Sequence, residues 1–301
     1  MDGGIAVGVD VGGTKILAGL VGRDGVIGRT REVPTPAQDS DEILAAIDGL
    51  VAEFVGAGGS AVGIGLPMNL DRKTGVGLRA TNLALENVDV AGRLREHFDV
   101  PIGIENDANA AALAEWRVGA GRGAQTLVLV TLGTGVGGGI VLDGKLYRGW
   151  AELGHLVVDA DGDPCQGTCH GRGHLESVSS GLAADRAARE LYGSDADAHL
   201  LVARAKGGDP QAIAAVERSG HFLGIALGSL VNLFDPEIFI VGGGFGAAAG
   251  DMLLHAAAKT ASREAISPAD KRVRIVPAML GDDAGLVGAA FVGFEALDGE
   301  R

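Results

Sequence analysis

The stretch Ile5-Ala-Val-Gly-Val-Asp-Val-Gly-Gly-Thr-Lys15 runs straight into a second apolar segment, residues 16–21, and then into the turn signal Arg23-Asp24-Gly25. Short apolar runs broken by Gly clusters read as strands joined by tight turns. The spacing predicts a meander: strand 5–10, a Gly-tipped turn, strand 16–21, and a third strand over 26–33. The theme returns later. Residues 127–132 are apolar, Gly133-Thr-Gly-Val-Gly-Gly-Gly139 is a Gly-rich turn, residues 140–142 are apolar again, and Asp143-Gly144 is another turn. Val9-Asp10-Val11-Gly12-Gly13-Thr14 therefore has an echo in Val130-Thr131-Leu132-Gly133-Thr134-Gly135. One such hairpin alone is an ordinary β-turn. Two of them, each with Thr at the tip, point to related halves that each offer backbone N–H groups to a phosphate. Glycine lets the backbone come close enough to do so.

Working outward, residues 40–55 place Ile43, Leu44, Ile47, Leu50, Val51 and Phe54 at helical spacing, with Ser40 as the expected N-cap. Residues 61–66 read as a strand ending at Pro67, residues 90–98 as a short helix, and 102–105 as a strand. Residues 106–118 form an Ala-rich helix capped by Asn106. Beyond the second hairpin come helices over 181–191, 197–206 and 210–233. A strand over 237–241 then breaks into Gly242-Gly243-Gly244, with a helix over 247–261, a strand over 273–276 and a last helix over 284–296. Backbone N–H groups at such a strand–glycine–helix junction can meet a nucleotide phosphate or ribose. Alternating strands and helices in both halves predict an α/β fold. A chain of 301 residues suggests two domains. These are expected at 1–118 together with 285–301, and at 119–284.

The second half holds a cluster of a different kind. Glu152-Leu-Gly-His155, Cys165-Gln-Gly-Thr-Cys169 and His174-Leu-Glu176 bring two Cys and two His close together in sequence, and these are the chain's 2 cysteines. Thiolate and imidazole at this spacing suit a tetrahedral Zn²⁺ better than a hard cation. The intervening segment is rich in Gly, Asp and Pro, so apolar burial cannot shape it, and a bound metal would. Glu152 and Glu176 bracket the cluster. The metal is read as structural, holding those two carboxylates in place.

A net charge of -14 argues against nucleic acid, whose binding rests on neutralised phosphates. The first residues lack the basic and long apolar regions of a secretory leader, and no run approaches the length of a membrane span. With two thiols, a cytoplasmic location is expected, and a disulfide framework is not. The 51 glycines are more than twice the usual share of about 7%. Aromatic residues are 4%, so an aromatic sugar platform is not expected.

Taken in order, Asp10-Val-Gly-Gly-Thr-Lys15, Asn82-Leu83, Glu105-Asn-Asp-Ala-Asn109, Leu132-Gly-Thr-Gly-Val-Gly137, Glu152-Leu-Gly-His155, the Cys/His segment, Gly242-Gly-Gly244 and Leu280-Gly-Asp-Asp-Ala-Gly285 resemble the motifs of the ROK family of sugar kinases. The resemblance implies the actin-like, hexokinase-type (RNase H-like) fold: two α/β domains with a cleft between them. It implies ATP-dependent phosphorylation of a hexose at its 6-hydroxyl. Glucose leads, an N-acetylhexosamine such as N-acetylmannosamine or N-acetylglucosamine is the alternative, and a silent sugar-sensing regulator comes last. Family repressors carry a DNA-binding domain ahead of the first hairpin; here the first strand begins within ten residues of Met1. ATP and polyphosphate both stand as donors. An assembly of two or four copies is implied.

By the same resemblance, Asp107 is the catalytic base, and Asn82, Asn106, Asp107, Glu152, His155 and Glu176 contact the sugar. Asp10, Gly12, Gly13, Thr14, Lys15, Gly133, Thr134, Gly135, Gly137, Gly243 and Gly244 form the nucleotide and phosphate contacts, with Asp10 helping to hold Mg²⁺. His155, Cys165, Cys169 and His174 would hold structural Zn²⁺. Two departures stand out. The family's metal loop is Cys-x-Cys-Gly-x-x-Gly-Cys, whereas here the first two cysteines lie two residues further apart and His174 replaces the third. Met68 follows Pro67 where the family usually has Gly.

Overall fold

The computed structural model describes residues 4–80, 82–167 and 169–299 of the 301-residue chain. They form two compact units. One runs to Gly119 and adds Arg148–Trp150 and the chain from Asp282 onward; the other is Ala120–Tyr147 and Ala151–Gly281.

The first unit is built on β1 (Ile5–Val11), β2 (Lys15–Gly22), β3 (Ile27–Pro34), β4 (Ala61–Leu66) and, after three short strands, β8 (Ile102–Asn106). The sheet order is β3-β2-β1-β4-β8. The first three strands form the expected antiparallel meander, and β1, β4 and β8 run parallel. Alternate residues of β1 meet the apolar stripe of α1 (Ser40–Gly56), so Val7, Val9, Ile43, Ile47, Val51 and Phe54 share one core. The cap of α1 is Asp39 and not Ser40: the Asp39 carboxylate accepts from Asp41 N at 2.9 Å and Glu42 N at 3.0 Å. A carboxylate one residue earlier reaches two of the orphan amides at the helix start, and Ser40 becomes the first helical residue. The helix α2 (Val90–Arg95) stops short of the expected residue 98. Between β4 and α2 lies a small antiparallel sheet that periodicity did not show, β5 (Met68–Leu70), β6 (Gly77–Ala80) and β7 (Glu86–Val88). Strands of three or four residues are too short to display an alternation. After β8 comes α3 (Asp107–Arg117), capped by Asn106 as the sequence reads.

The C-terminal helix, Ala284–Asp298, packs backbone to backbone against this sheet. A Cβ on Gly63 of β4 would lie 1.7 Å from the Ala289 carbonyl oxygen. No side chain fits there, so the glycine sets the distance between helix and strand.

The second unit repeats the plan. Strands β9 (Leu127–Leu132), β10 (Val136–Leu142), β11 (Lys145–Leu146), β12 (Ile238–Gly242) and β13 (Ile275–Pro277) lie in the order β11-β10-β9-β12-β13. Again the first three are antiparallel, and β9, β12 and β13 are parallel. The echo in the sequence is thus a repeated topology. Helices α4 (Leu175–Ser179), α5 (Gly181–Tyr192), α6 (Ala198–Lys206), α7 (Pro210–Phe234), α8 (Gly244–Ala249) and α9 (Asp251–Glu264) complete it. The single helix expected over 247–261 is two, because Gly250 adopts φ 56° between them. Val128, Val130, Leu223, Leu227, Phe239 and Leu253 belong to a second, separate core. Among the described residues, no helix is long and apolar enough to cross a membrane.

Candidate active site and metal centre

In the first unit the expected site residues gather where β1, β4 and β8 end. Asp10 is the penultimate residue of β1, and the β1–β2 tip follows it. The tip is closed by Gly12 N donating to Lys15 O at 2.9 Å. It is pinned from outside by Thr35, whose hydroxyl donates to Gly12 O at 2.8 Å and whose N–H donates to Thr14 O at 3.0 Å. Gly13, Thr14 and Lys15 are exposed. The Lys15 ammonium turns to Glu32 on β3, at 2.7 Å. Asn82 is exposed near the tip, its Cβ 3.8 Å from where a Gly13 Cβ would stand.

Asp10 and Asp107 both adjoin Gly65 of β4: a Cβ there would lie 3.7 Å from Asp107 Cα and 3.8 Å from Asp10 Oδ1. Parallel β1, β4 and β8 bring together two carboxylate residues almost a hundred positions apart in the chain. Burial pushes the Asp10 carboxyl up to about 6, with Lys15 pulling the other way. Gly285, at the start of the C-terminal helix, leaves room for that carboxyl, since a Cβ there would stand 2.3 Å from Asp10 Oδ2. Asn106 Oδ1 accepts from Ala108 N at 3.0 Å and Asn109 N at 3.1 Å, while Asp107 Oδ1 accepts from Ala108 N at 2.8 Å. The first turn of α3 thereby orients Asp107. Asn106 Nδ2 reaches the Met68 carbonyl at 3.5 Å, and the Met68 side chain is buried.

Sequence reasoning missed the partners of Glu105, which precedes this pair. Glu105 is 1 % exposed. It accepts both Nη groups of Arg72, at 2.6 and 2.9 Å, and lies 3.4 Å from Arg148 Nε. No local signal marks Arg72 or Arg148. A charged residue inside an otherwise apolar strand was the available hint.

In the second unit the β9–β10 tip is closed by Gly133 N donating to Gly135 O at 3.0 Å. The start of α5 holds it from below: Gly181 N donates to Gly133 O at 2.7 Å, and Leu182 N to Thr134 O at 3.4 Å. Gly137 pairs with Thr131 inside the sheet. Glu176 of α4, expected to face a sugar, accepts from Val136 N at 2.8 Å. Gly135 makes that possible, because a Cβ there would sit 2.3 Å from Glu176 Oε2. Gly243 has φ 80° and would place a Cβ 2.5 Å from the Leu132 backbone, beside the same tip; Gly244 opens α8.

One donor atom each from His155, Cys165, Cys169 and His174 lies within 4.8 Å of every other. Cys169 Sγ is 3.6 Å from His174 Nδ1, and the two imidazole centroids are 5.2 Å apart. His155 Nδ1 is also 3.8 Å from Glu152 Oε2, and Glu152 is exposed. The loop is shaped by its own backbone, with Cys165 N donating to Gly171 O at 2.9 Å and Gly173 N to Asp163 O at 2.8 Å. Burial pushes the Cys165 thiol up to about 11, and the Cys169 thiol beside it adds to this. Two sulfurs and two imidazoles so close could hold a soft divalent cation, which would reverse that shift by binding the thiolates.

The sequence profile of the ROK family matches residues 6–294. A glucokinase of Streptomyces coelicolor is 35% identical over 95% of this chain and 96% of its own length. An N-acetylmannosamine kinase of Escherichia coli O157:H7 is also 35% identical, over 94% of this chain and 96% of its own. The crystal structure of a ROK family glucokinase from Streptomyces griseus, in complex with glucose and AMPPNP, superposes with a TM-score of 0.83 at 36% identity, covering 97% of this chain and 100% of that one.

Proposed function

The chain belongs to the ROK family and has its actin-like, hexokinase-type fold, and on that premise we propose that it transfers the γ-phosphoryl group of ATP to the 6-hydroxyl of a hexose, glucose first. The observation that carries the reading is the meeting of Asp10 and Asp107 at Gly65, next to a Gly-Thr tip whose residues Gly13 and Thr14 are exposed. Phosphoryl transfer needs positioning and neutralised charge more than covalent help from the protein.

Asp107 is the general base. The hexose oxygen attacks the γ-phosphorus, its proton passes to the Asp107 carboxylate, and the bond from phosphorus to the ADP oxygen breaks. Asn82, Asn106, Glu152, His155 and Glu176 are the proposed contacts to the sugar hydroxyls. The tips at Gly12–Thr14 and Gly133–Gly137 hold the phosphates, with Gly243 and Gly244 on the nucleotide side. Asp10 is the residue to hold Mg²⁺, directly or through water, and its half-buried carboxylate fits a cation. That ion neutralises phosphate charge when bound. His155, Cys165, Cys169 and His174 form a closed Zn²⁺ site that fixes the segment carrying Glu152 and Glu176.

The second reading, an N-acetylhexosamine kinase, stands because the E. coli relative is as similar as the Streptomyces coelicolor glucokinase. Met68, where the family usually has Gly, is buried, and its carbonyl faces Asn106 Nδ2. One assay separates the readings: turnover of glucose, mannose, N-acetylmannosamine and N-acetylglucosamine, each with ATP and with polyphosphate. Asp107→Asn should lower kcat by roughly 10²–10⁴-fold with sugar binding retained. A variant with near-normal kcat removes Asp107 from the role.

A further inference from the structure

The carboxylate of Glu105 is an unusual hub. Oε1 accepts from Arg72 Nη2 at 2.6 Å, from the Asn106 amide at 2.9 Å and from Asn109 Nδ2 at 3.1 Å. Oε2 accepts from Arg72 Nη1 at 2.9 Å and faces Arg148 Nε at 3.4 Å. Arg148 in turn donates to Glu295 of the C-terminal helix at 2.5 Å, and Arg117 of α3 lies 3.6 Å from the same carboxylate. Arg72 from the β5–β6 turn and Arg148 from beyond β11, the latter shared with Glu295, meet at one buried acid. Asn109, fully buried, gives its amide N–H to the same acid and leaves its Oδ1 without a partner.

Stability does not require this arrangement. A buried ion pair rarely outperforms apolar residues of the same volume, because both charges must be stripped of water. What it supplies is geometry. Glu105 is bonded to the amide of its neighbour Asn106, and the next residue is Asp107. The two-pronged Arg72 fork fixes the plane of the Glu105 carboxylate. The carboxylate in turn fixes the turn from β8 into α3. Asn109 ties the first turn of the helix to the same point.

We propose that Arg72 and Arg148 are positioning residues for phosphoryl transfer, clamping Glu105 so that the β8–α3 turn presents Asp107 in one orientation. The inference rests on Asp107 being the base. The clamp acts on the reacting geometry and not on the phosphate tips, which lie on other turns. Its loss is therefore read in kcat, not in the KM for ATP.

The test uses Arg72→Met, Arg72→Lys, Arg148→Met and Asp107→Asn in the full chain. Each is assayed with ATP and whichever of glucose and N-acetylmannosamine the wild type turns over faster, well below its own Tm. Arg72→Met should lose about 10- to 100-fold in kcat, the scale of a misplaced reacting group, with the KM for ATP within about threefold of wild type. Arg148→Met, which removes one longer contact, should lose less. Arg72→Lys keeps the charge without the fork and should recover part of the loss. If Arg72→Met does not fold, Arg72→Lys decides: lowered kcat at wild-type Tm supports the clamp, and wild-type kcat overturns it. Lowered Tm with unchanged kcat in all three arginine variants would make the cluster merely structural and overturn the proposal. If Asp107→Asn is impaired while all three arginine variants are normal, the clamp fails and the base stands. If Asp107→Asn itself is normal, the base assignment fails.

Discussion

Replacing Asp10 by asparagine should stabilise the protein while inactivating it. The Asp10 carboxyl ordinarily titrates at 3.8, and burial raises it to about 6. The folded state therefore binds this proton more tightly than the unfolded chain does. Below pH 3.8 the acid is protonated in both states and costs nothing. Between pH 3.8 and about 6 the unfolded chain ionises while the folded acid keeps its proton, so stability falls, and above about 6 the folded protein carries a desolvated charge and the loss is complete. The distance from 3.8 to about 6 corresponds to roughly 3 kcal/mol, at about 1.4 kcal/mol per pH unit. Water still reaches part of the half-buried group, so the realised gain for Asp10→Asn at pH 8 is about 1–3 kcal/mol. Asparagine has the same shape, and Gly285 leaves the space unchanged. Guanidinium denaturation of wild type and variant between pH 4 and 8, without nucleotide, measures this. The stability difference should be largest above pH 7 and vanish near pH 4. A variant no more stable than wild type at pH 8, or a difference that does not shrink toward acid pH, would refute the reasoning. On the proposed role of Asp10 in holding Mg²⁺, kinase activity should fall at the same time, because asparagine binds a hard cation poorly.

Two further outcomes follow from packing and from the thiols. Gly63→Ala should cost at least 1–3 kcal/mol, seen as a lowered Tm, since its Cβ would lie 1.7 Å from the Ala289 carbonyl and neither backbone can yield. A wild-type Tm would mean that the C-terminal helix does not pack so closely in solution. Cys169→Ser should purify without zinc by elemental analysis and bind sugar more weakly, yet remain folded, because the second unit has its own apolar core. Wild-type protein free of zinc and fully active after chelation would remove the metal from the account.

Much of the site was legible because its signals are local. Asn106 was readable as a cap, since a cap bonds amides two and three residues ahead. The Cys/His set was readable because its four ligands come from one short segment, and the structure does bring them together. The doubled hairpin was readable from glycines that only a tight tip requires, and it proved to be a doubled sheet topology. The misreadings were also local, and each turned on one neighbour. Asp39 displaced Ser40 as the cap of α1, and Gly250 split a helix that periodicity ran through.

The sequence alone therefore determined the α/β plan, the two tips and the residue types of the site, because caps, turns and ligand spacing act over a few residues. Tertiary structure alone decided that Asp10 and Asp107 share Gly65, that burial raises the Asp10 acid, that Glu176 reaches Val136, and that Arg72 and Arg148 converge on Glu105. Each of these depends on which distant strands become neighbours and on how much water they exclude. Charge burial and ion pairing are properties of that three-dimensional neighbourhood, and no window along the chain contains them.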